Sequence, residues 1–207
     1  MKTNRLLLSA ALILMSACNS VFGESAELVS NERKATDFYG LVVNANANVI
    51  LSQGEACSVK VEGDRRTVSE VSTEVENGAL VINGDNTRPV NVYVTVNDLN
   101  LVEVNGNAKV YANQVINSDL LLLKVNGNGS IKMEVRSLSL GMIVKGNGRI
   151  VASGSTGDSF VRVYGNGSVS ARNLDAYRQT EEIYNANLNY KRESGNGSKR
   201  LTLSLHD

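Results

Sequence analysis

The chain has 207 residues, 21 Lys and Arg against 21 Asp and Glu, 42% hydrophobic and 20% charged residues, one Pro and no Trp. That length and balance describe one ordinary globular domain, or two small ones, and exclude a disordered or collagen-like chain. Zero formal charge argues against nucleic-acid binding, which produces a basic domain, and a single histidine, His206, removes most histidine-based catalysis and metal ligation.

The chain opens with Lys2 and Arg5, then an apolar stretch from Leu6 to Ala17. Twelve residues are too few to span a bilayer, which needs roughly 20, but they suit the apolar region of an export signal. Leu14-Met15-Ser16-Ala17-Cys18 resembles a bacterial lipobox, so residues 1–17 are expected to be removed and Cys18 to be acylated. Cleavage after Gly23, with no lipid, is the competing expectation. Removing residues 1–17 takes away two bases and no acid, so the mature chain is mildly acidic and has no polybasic patch for lipid headgroups. Membrane attachment would therefore come from the N-terminal lipid alone, placing the protein in the cell envelope as an outer-membrane lipoprotein. Residues 18–36 form a short tether and 37–207 a single domain. Cys18 and Cys57 could pair in an oxidising compartment; with Cys18 acylated, Cys57 becomes a small buried hydrophobe.

From residue 37 the apolar residues alternate. Leu41, Val43, Val49 and Leu51 set the first strands. Cys57–Glu62, Val71–Glu76, Leu80–Ile82 and Val90–Val96 also read as strands, Asn77-Gly78 and Asn83-Gly84 as turns, and 64–74 as the only stretch able to hold a helical turn. After residue 100 a repeat takes over: Val104-Asn-Gly-Asn-Ala, Val125-Asn-Gly-Asn-Gly, Val144-Lys-Gly-Asn-Gly and Val163-Tyr-Gly-Asn-Gly, spaced by 21, 19 and 19 positions. Val43-Asn-Ala-Asn-Ala and Tyr184-Asn-Ala-Asn-Leu are degenerate copies. Apolar residues recur in phase on both sides, at Val102, Leu123, Met142 and Val161 before the motif, and at Val110, Ile131, Ile150 and Val169 after it. Each repeat thus supplies short strands of about five residues around a glycine corner.

Two all-β arrangements fit: an antiparallel sandwich or meander joined by Asn-Gly hairpins, and a parallel β-helix (β-solenoid) of about 20 residues per coil. The recurrence of every position favours the solenoid. In it Gly106, Gly127, Gly146 and Gly165 take corner conformations costly to other residues. Asn46, Asn107, Asn128, Asn147, Asn166 and Asn187 stack as a hydrogen-bonded ladder.

The Phe38-Tyr-Gly-Leu-Val-Val … Val49-Ile-Leu-Ser-Gln-Gly opening and the Gly-Asn-Gly corners resemble the auto-transporter adhesin head domain, the GIN domain of exported Bacteroidetes-type proteins. The resemblance spans about residues 37–205. It implies a right-handed β-helix and an extracytoplasmic, adhesive role, with no catalytic residues to carry over.

The residues themselves hold little chemistry. The columns Glu103/Lys124/Ile143/Arg162, Lys109/Ser130/Arg149/Ser168 and Asn113/Glu134/Ser153/Arg172 never gather the two carboxylates that glycoside hydrolysis wants. No catalytic residue, metal site or cofactor is therefore expected. Gly165-Asn-Gly167 lacks the spacing and following helix of a phosphate loop. A sugar platform would rest on Tyr111, Tyr164, Tyr177, Tyr184 and Tyr190, of which the C-terminal four are expected instead to cover the open end of the stack. Leu101, Leu122 and Phe160 form an outward apolar column, a candidate stripe for a second copy or another partner. The expected function is non-enzymatic recognition of a surface glycan or protein, with a polysaccharide lyase or hydrolase on the same scaffold as the alternative.

Overall fold

The computed structural model describes residues 27–184 with their side chains, and the backbone of 189–195 and 198–204. The export signal, Cys18 and Asn187 lie outside the described residues. The fold is a β-solenoid with coils of about 20 residues. Coils pair in parallel with their neighbours and in register, which excludes the antiparallel sandwich.

Alternation in the sequence becomes alternation across two walls. In the first wall β2 (Gly40–Val43), β6 (Ala79–Gly84), β8 (Leu101–Gly106) and the second half of β10 (Ile116–Gly127) lie side by side. The second halves of β11 (Ser130–Gly146), β12 (Arg149–Tyr164) and β13 (Ser168–Tyr184) continue it. The second wall holds β3 (Ala47–Gln53), β7 (Val90–Val96), β9 (Lys109–Ala112) and the first halves of β11, β12 and β13. Leu41, Leu80, Val102, Leu123, Met142 and Val161 form one inward row of the first wall, all essentially buried. Val49, Val92, Val110, Ile131 and Ile150 form the facing row of the second. Each such side chain contributes about 1.5–3 kcal/mol by leaving water.

The sequence left the order of the coils before residue 100 open, and the structure sets coil 79–96 outside coil 40–53, so that β2 is flanked by β6 and β8. Two features differ from the sequence expectation. Strands of the regular coils are long, 17, 16 and 17 residues in β11, β12 and β13, because coil-to-coil pairing persists around the second corner. There Ser137 Oγ donates to Thr156 Oγ1 at 2.9 Å. Asn83-Gly84 is not a turn: both residues pair with β5 (Val71–Glu76) inside β6.

Antiparallel elements close the first end of the stack. β5 pairs β6 across the Asn77-Gly78 turn, where both φ values are positive (51° and 78°), as a tight hairpin requires. β4 (Ser58–Asp64) pairs β7, and β1 (Leu28–Arg33) pairs β4. The expected helical turn is α1 (Arg65–Ser69), which carries the chain from the second wall to the first and buries Thr67 and Val68. Its N-cap, Asp64, accepts from the Thr67 backbone N–H at 2.9 Å and from the Thr67 hydroxyl. At the other end β14 (Asn189–Gly195) and β15 (Ser198–Ser204) add antiparallel strands to the first wall.

Candidate functional site

The Gly-Asn-Gly corners place everything that projects from the walls. Gly106, Gly127, Gly146 and Gly165 have φ of +86°, +111°, +103° and +99°, a region closed to most side chains. In the last three corners a second glycine, Gly129, Gly148 or Gly167, is required for space: a Cβ on Gly148 would lie 2.3 Å from Val125 Cγ1. Asn128 donates to Asn107 at 3.2 Å and Asn147 to Asn128 at 3.1 Å. Asn46 leaves this ladder, donating instead to the Thr87 carbonyl at 3.1 Å, because the neighbouring corner is widened by Asp85–Pro89. Asn166 makes no side-chain hydrogen bond among the described residues. A second ladder, absent from the sequence reading, lies two places earlier: Asn126 to Asn105 and Asn105 to Asn44, both 2.8 Å, then Asn44 to Asn83 at 2.6 Å. Its signal was the asparagine at the same place in three copies.

Outward groups of the first wall satisfy one another. Glu103 accepts from Lys124 at 2.7 Å and from Asn126 at 2.9 Å. Arg162 donates twice to one oxygen of Glu182, at 2.7 and 2.9 Å, and this bond holds the guanidinium above its ordinary pKa. Arg178 forms a two-point pair with Asp158, at 2.6 and 2.7 Å, whose hydrogen bonds keep the Asp158 carboxyl below its usual range. Tyr164 and Tyr184 stack with centroids 5.2 Å apart and planes 11° apart. They continue the row of the second Asn ladder rather than covering the end of the stack, since Val163 and Ile183 take the inward places. Tyr177 projects from the second corner, 65% exposed. The column of Leu101, Leu122 and Phe160 is half-buried, neither free in water nor inside the coil. Leu122 reaches over the place a Gly141 side chain would fill, and the Arg162 guanidinium sits 4.7 Å above the Phe160 ring.

The second wall differs. Its central outward row reads Lys60, Tyr93, Ile50, Tyr111, Lys132, Val151, Ser170, each on the next strand. The row beside it reads Glu62, Asn91, Asn48, Lys109, Ser130, Arg149, Ser168. Tyr93 (36%) and Tyr111 (42%) are exposed. At the first end of the row, the Lys60 ammonium lies 4.5 Å from the Tyr93 ring centroid and 2.8 Å from Glu62. Glu62, lowered by its bond to Lys60, in turn raises the Tyr93 hydroxyl through a hydrogen bond. Past Tyr111 the cations of this wall have no such partners among the described residues. The Asn113/Glu134/Ser153 column breaks before Arg172: a register shift after Val151 pairs Ser153 with Asn173, next to Gly154 at φ +102°. Cys57 is a half-buried free thiol, 3.7 Å from the Phe38 carbonyl.

An open groove at the second corner is lined by Asp98, Asp119 and Arg136 with the exposed Leu120 and Leu138. It is not visible in the repeat columns, because Asp98 lies in the link between β7 and β8 and Asp119 in the part of β10 that precedes the first wall. No group of three or more His, Cys, Asp or Glu side chains suited to a metal ion occurs among the described residues.

The family model described as "Putative auto-transporter adhesin, head GIN domain" matches residues 37–185. The chain belongs to that family. This GIN domain is similar in fold to a "putative adhesin" from Bacteroides fragilis NCTC 9343, at 18% identity and TM-score 0.70, with 77% of this chain and 80% of that one covered. It is also similar to a "putative adhesin" from Parabacteroides distasonis ATCC 8503, at 16% identity and TM-score 0.61, with 78% and 80% covered. A "putative lipid binding protein" from the same strain matches at 16% identity and TM-score 0.61, with 77% and 79% covered. No curated protein matches the sequence.

Proposed function

We propose that this GIN domain is an exported, non-enzymatic, adhesin-like binding protein, held to the outer membrane by an acylated Cys18 through the tether 18–36, and that it recognises a glycan or protein at the cell surface. Family membership supports the adhesin-like role. The observation that carries the binding role is the second wall's outward face, where exposed tyrosines and cations lie on a rigid, in-register sheet. The Leu101–Leu122–Phe160 stripe is the weaker candidate surface for a second copy, because Gly141 interrupts it and Arg162 covers Phe160. A glycan-array screen and a binding screen against envelope proteins, both with the mature chain, test the reading. Saturable binding to one ligand class is expected; a chain that binds nothing in either screen is a structural envelope component instead. Mass spectrometry of the native N-terminus tests the anchor: a diacylated or triacylated Cys18 peptide is expected, and an unmodified Glu24 N-terminus contradicts it.

The groove carrying Asp98, Asp119 and Arg136 is where the polysaccharide-processing alternative would act, since it places two carboxylates beside a cation. Shortening of a polysaccharide by the wild type but not by Asp119→Asn would favour that alternative.

A further inference from the structure

On the regular coils most charged groups of the first wall are paired and the cations of the second are not; Lys145 on the first wall, 5.9 Å from the Tyr164 ring centroid, and the Lys60–Glu62 pair at the end of the second are the exceptions. Each carboxylate–cation pair on the first wall's regular coils, Glu103 with Lys124, Arg162 with Glu182 and Asp158 with Arg178, closes at 2.6–2.7 Å. On the second wall Lys109, Lys132, Arg149 and Arg172 are all exposed, and none makes a side-chain hydrogen bond or ion pair among the described residues. The carboxylates on the same strand segments are Glu134 and, at the far corner, Asp175. Register places Lys109 and Arg149 in one row, two strands apart, and Lys132 on the strand between them in the next row. Two strand spacings are about 9.5 Å, close to the Debye length of ~8 Å at physiological salt. At that separation, just beyond the Debye length, salt screens much of the repulsion between these exposed cations, and a linear polyanion laid across the strands would meet all three.

What lies beside the cations narrows the ligand. Tyr111 pairs in register with Lys132 on one side and Ile50 on the other, offering an aromatic and aliphatic surface in line with the charges. Asn48 and Asn113 supply amides on the two flanking rows. Arginine suits two-point contact with a carboxylate or sulfate, and tyrosine presents an apolar ring with a polar tip. A flat sheet with acid-binding groups, a ring-stacking surface and amide partners fits a chain of sugar rings bearing acid groups. A lipid headgroup layer would meet the cations but would have no use for the Tyr111 and Asn rows.

We propose that the outward surface of Lys109, Tyr111, Lys132 and Arg149 is a binding site for an acidic polysaccharide, lying across the strands with its carboxylates or sulfates on the cations and its sugar rings against Tyr111. This rests on the reading of the domain as a surface-binding protein and names that protein's ligand class and face.

The test uses the full mature chain on immobilised polygalacturonate and heparin, with dextran as the neutral probe and phosphatidylserine-containing vesicles as the membrane probe. Lys132→Glu is compared with Lys145→Glu, which makes the same charge change on the first wall. Unchanged melting temperatures establish that both variants are folded. Wild type is expected to hold an acidic polysaccharide, to ignore dextran, and to release it as salt rises. Lys132→Glu is expected to weaken binding about tenfold, and Lys145→Glu less than twofold. Equal loss in both variants, undiminished binding by Lys132→Glu, or preference for the vesicles would overturn the proposal. If an array finds a neutral glycan or a protein whose binding ignores Lys132→Glu, this site fails while the surface-binding function stands. If neither array nor envelope proteins show binding, the broader reading fails with it.

Discussion

On the first wall, Glu103 meets Lys124, Arg162 meets Glu182, and four asparagines close into a continuous ladder from Asn83 to Asn126. On the second, built from the other halves of the same coils, Lys109, Lys132 and Arg149 point outward with no partner among the described residues, beside an exposed Tyr111. The backbone pairing is in register in both apart from the shift after Val151 on the second wall, so loss of pairing does not explain the unpaired Lys109, Lys132 and Arg149. In-register stacking brings like positions within reach every coil. The first wall pairs opposite charges on neighbouring coils, whereas in the second Ser130 separates Lys109 from Arg149, and the cations stay unpaired among the described residues, where a ligand could use them.

That contrast can be broken from the inside first. Gly154→Ala forces a Cβ to within 2.1 Å of the Val135 carbonyl at φ +102°, and both walls share this residue's coil. We expect a loss above about 3 kcal/mol, read as a collapsed urea midpoint or failure to fold. Leu123→Ala, in the fully buried inward row, is expected to cost about 2–5 kcal/mol by the same measurement, with no preference between walls. Arg162→Ala sharpens the contrast: it leaves half-buried Glu182 without this partner and should cost roughly 1 kcal/mol of stability while leaving polysaccharide binding intact. Lys132→Ala is its mirror. Its stability should stay within about 0.5 kcal/mol of wild type while binding weakens.

Acid titration separates the elements again. Asp64 is held below its ordinary pKa by the hydroxyl and backbone N–H of Thr67, and Asp158 by Arg178. A depressed folded pKa adds stability that is complete above the unfolded carboxyl value, about 3.9, and disappears as pH falls through the folded value. Stability should therefore drop below about pH 4, and Asp64→Asn or Arg178→Ala should flatten that acid limb. Neutral-to-basic pH should leave these contributions unchanged.

Much of the scaffold was legible. Val104, Val125, Val144 and Val163 repeat in phase with their flanks, and the corner glycines fall where the chain turns. The position of coil 79–96 was not, because β6 and β8 are both competent partners for β2 and nothing local chooses between its two edges. That swap also hid the tyrosine row: only once β7 lies beside β3 does Tyr93 stand in line with Ile50 and Tyr111. The bulge after Val151 moved Arg172 out of its column, a local event the spacing alone does not reveal. Tyr164 and Tyr184 do not cover the end of the stack, because their parity sets them outward beside the inward Val163 and Ile183.

The most direct measurement of the central claim is backbone-amide NMR of the mature chain titrated with an acidic oligosaccharide. Shift changes concentrated at Lys109, Tyr111, Lys132 and Arg149, with the amides around Lys145 and Tyr164 unmoved, are the predicted result. Changes concentrated on the first wall, or in the groove of Asp98 and Asp119, would contradict it.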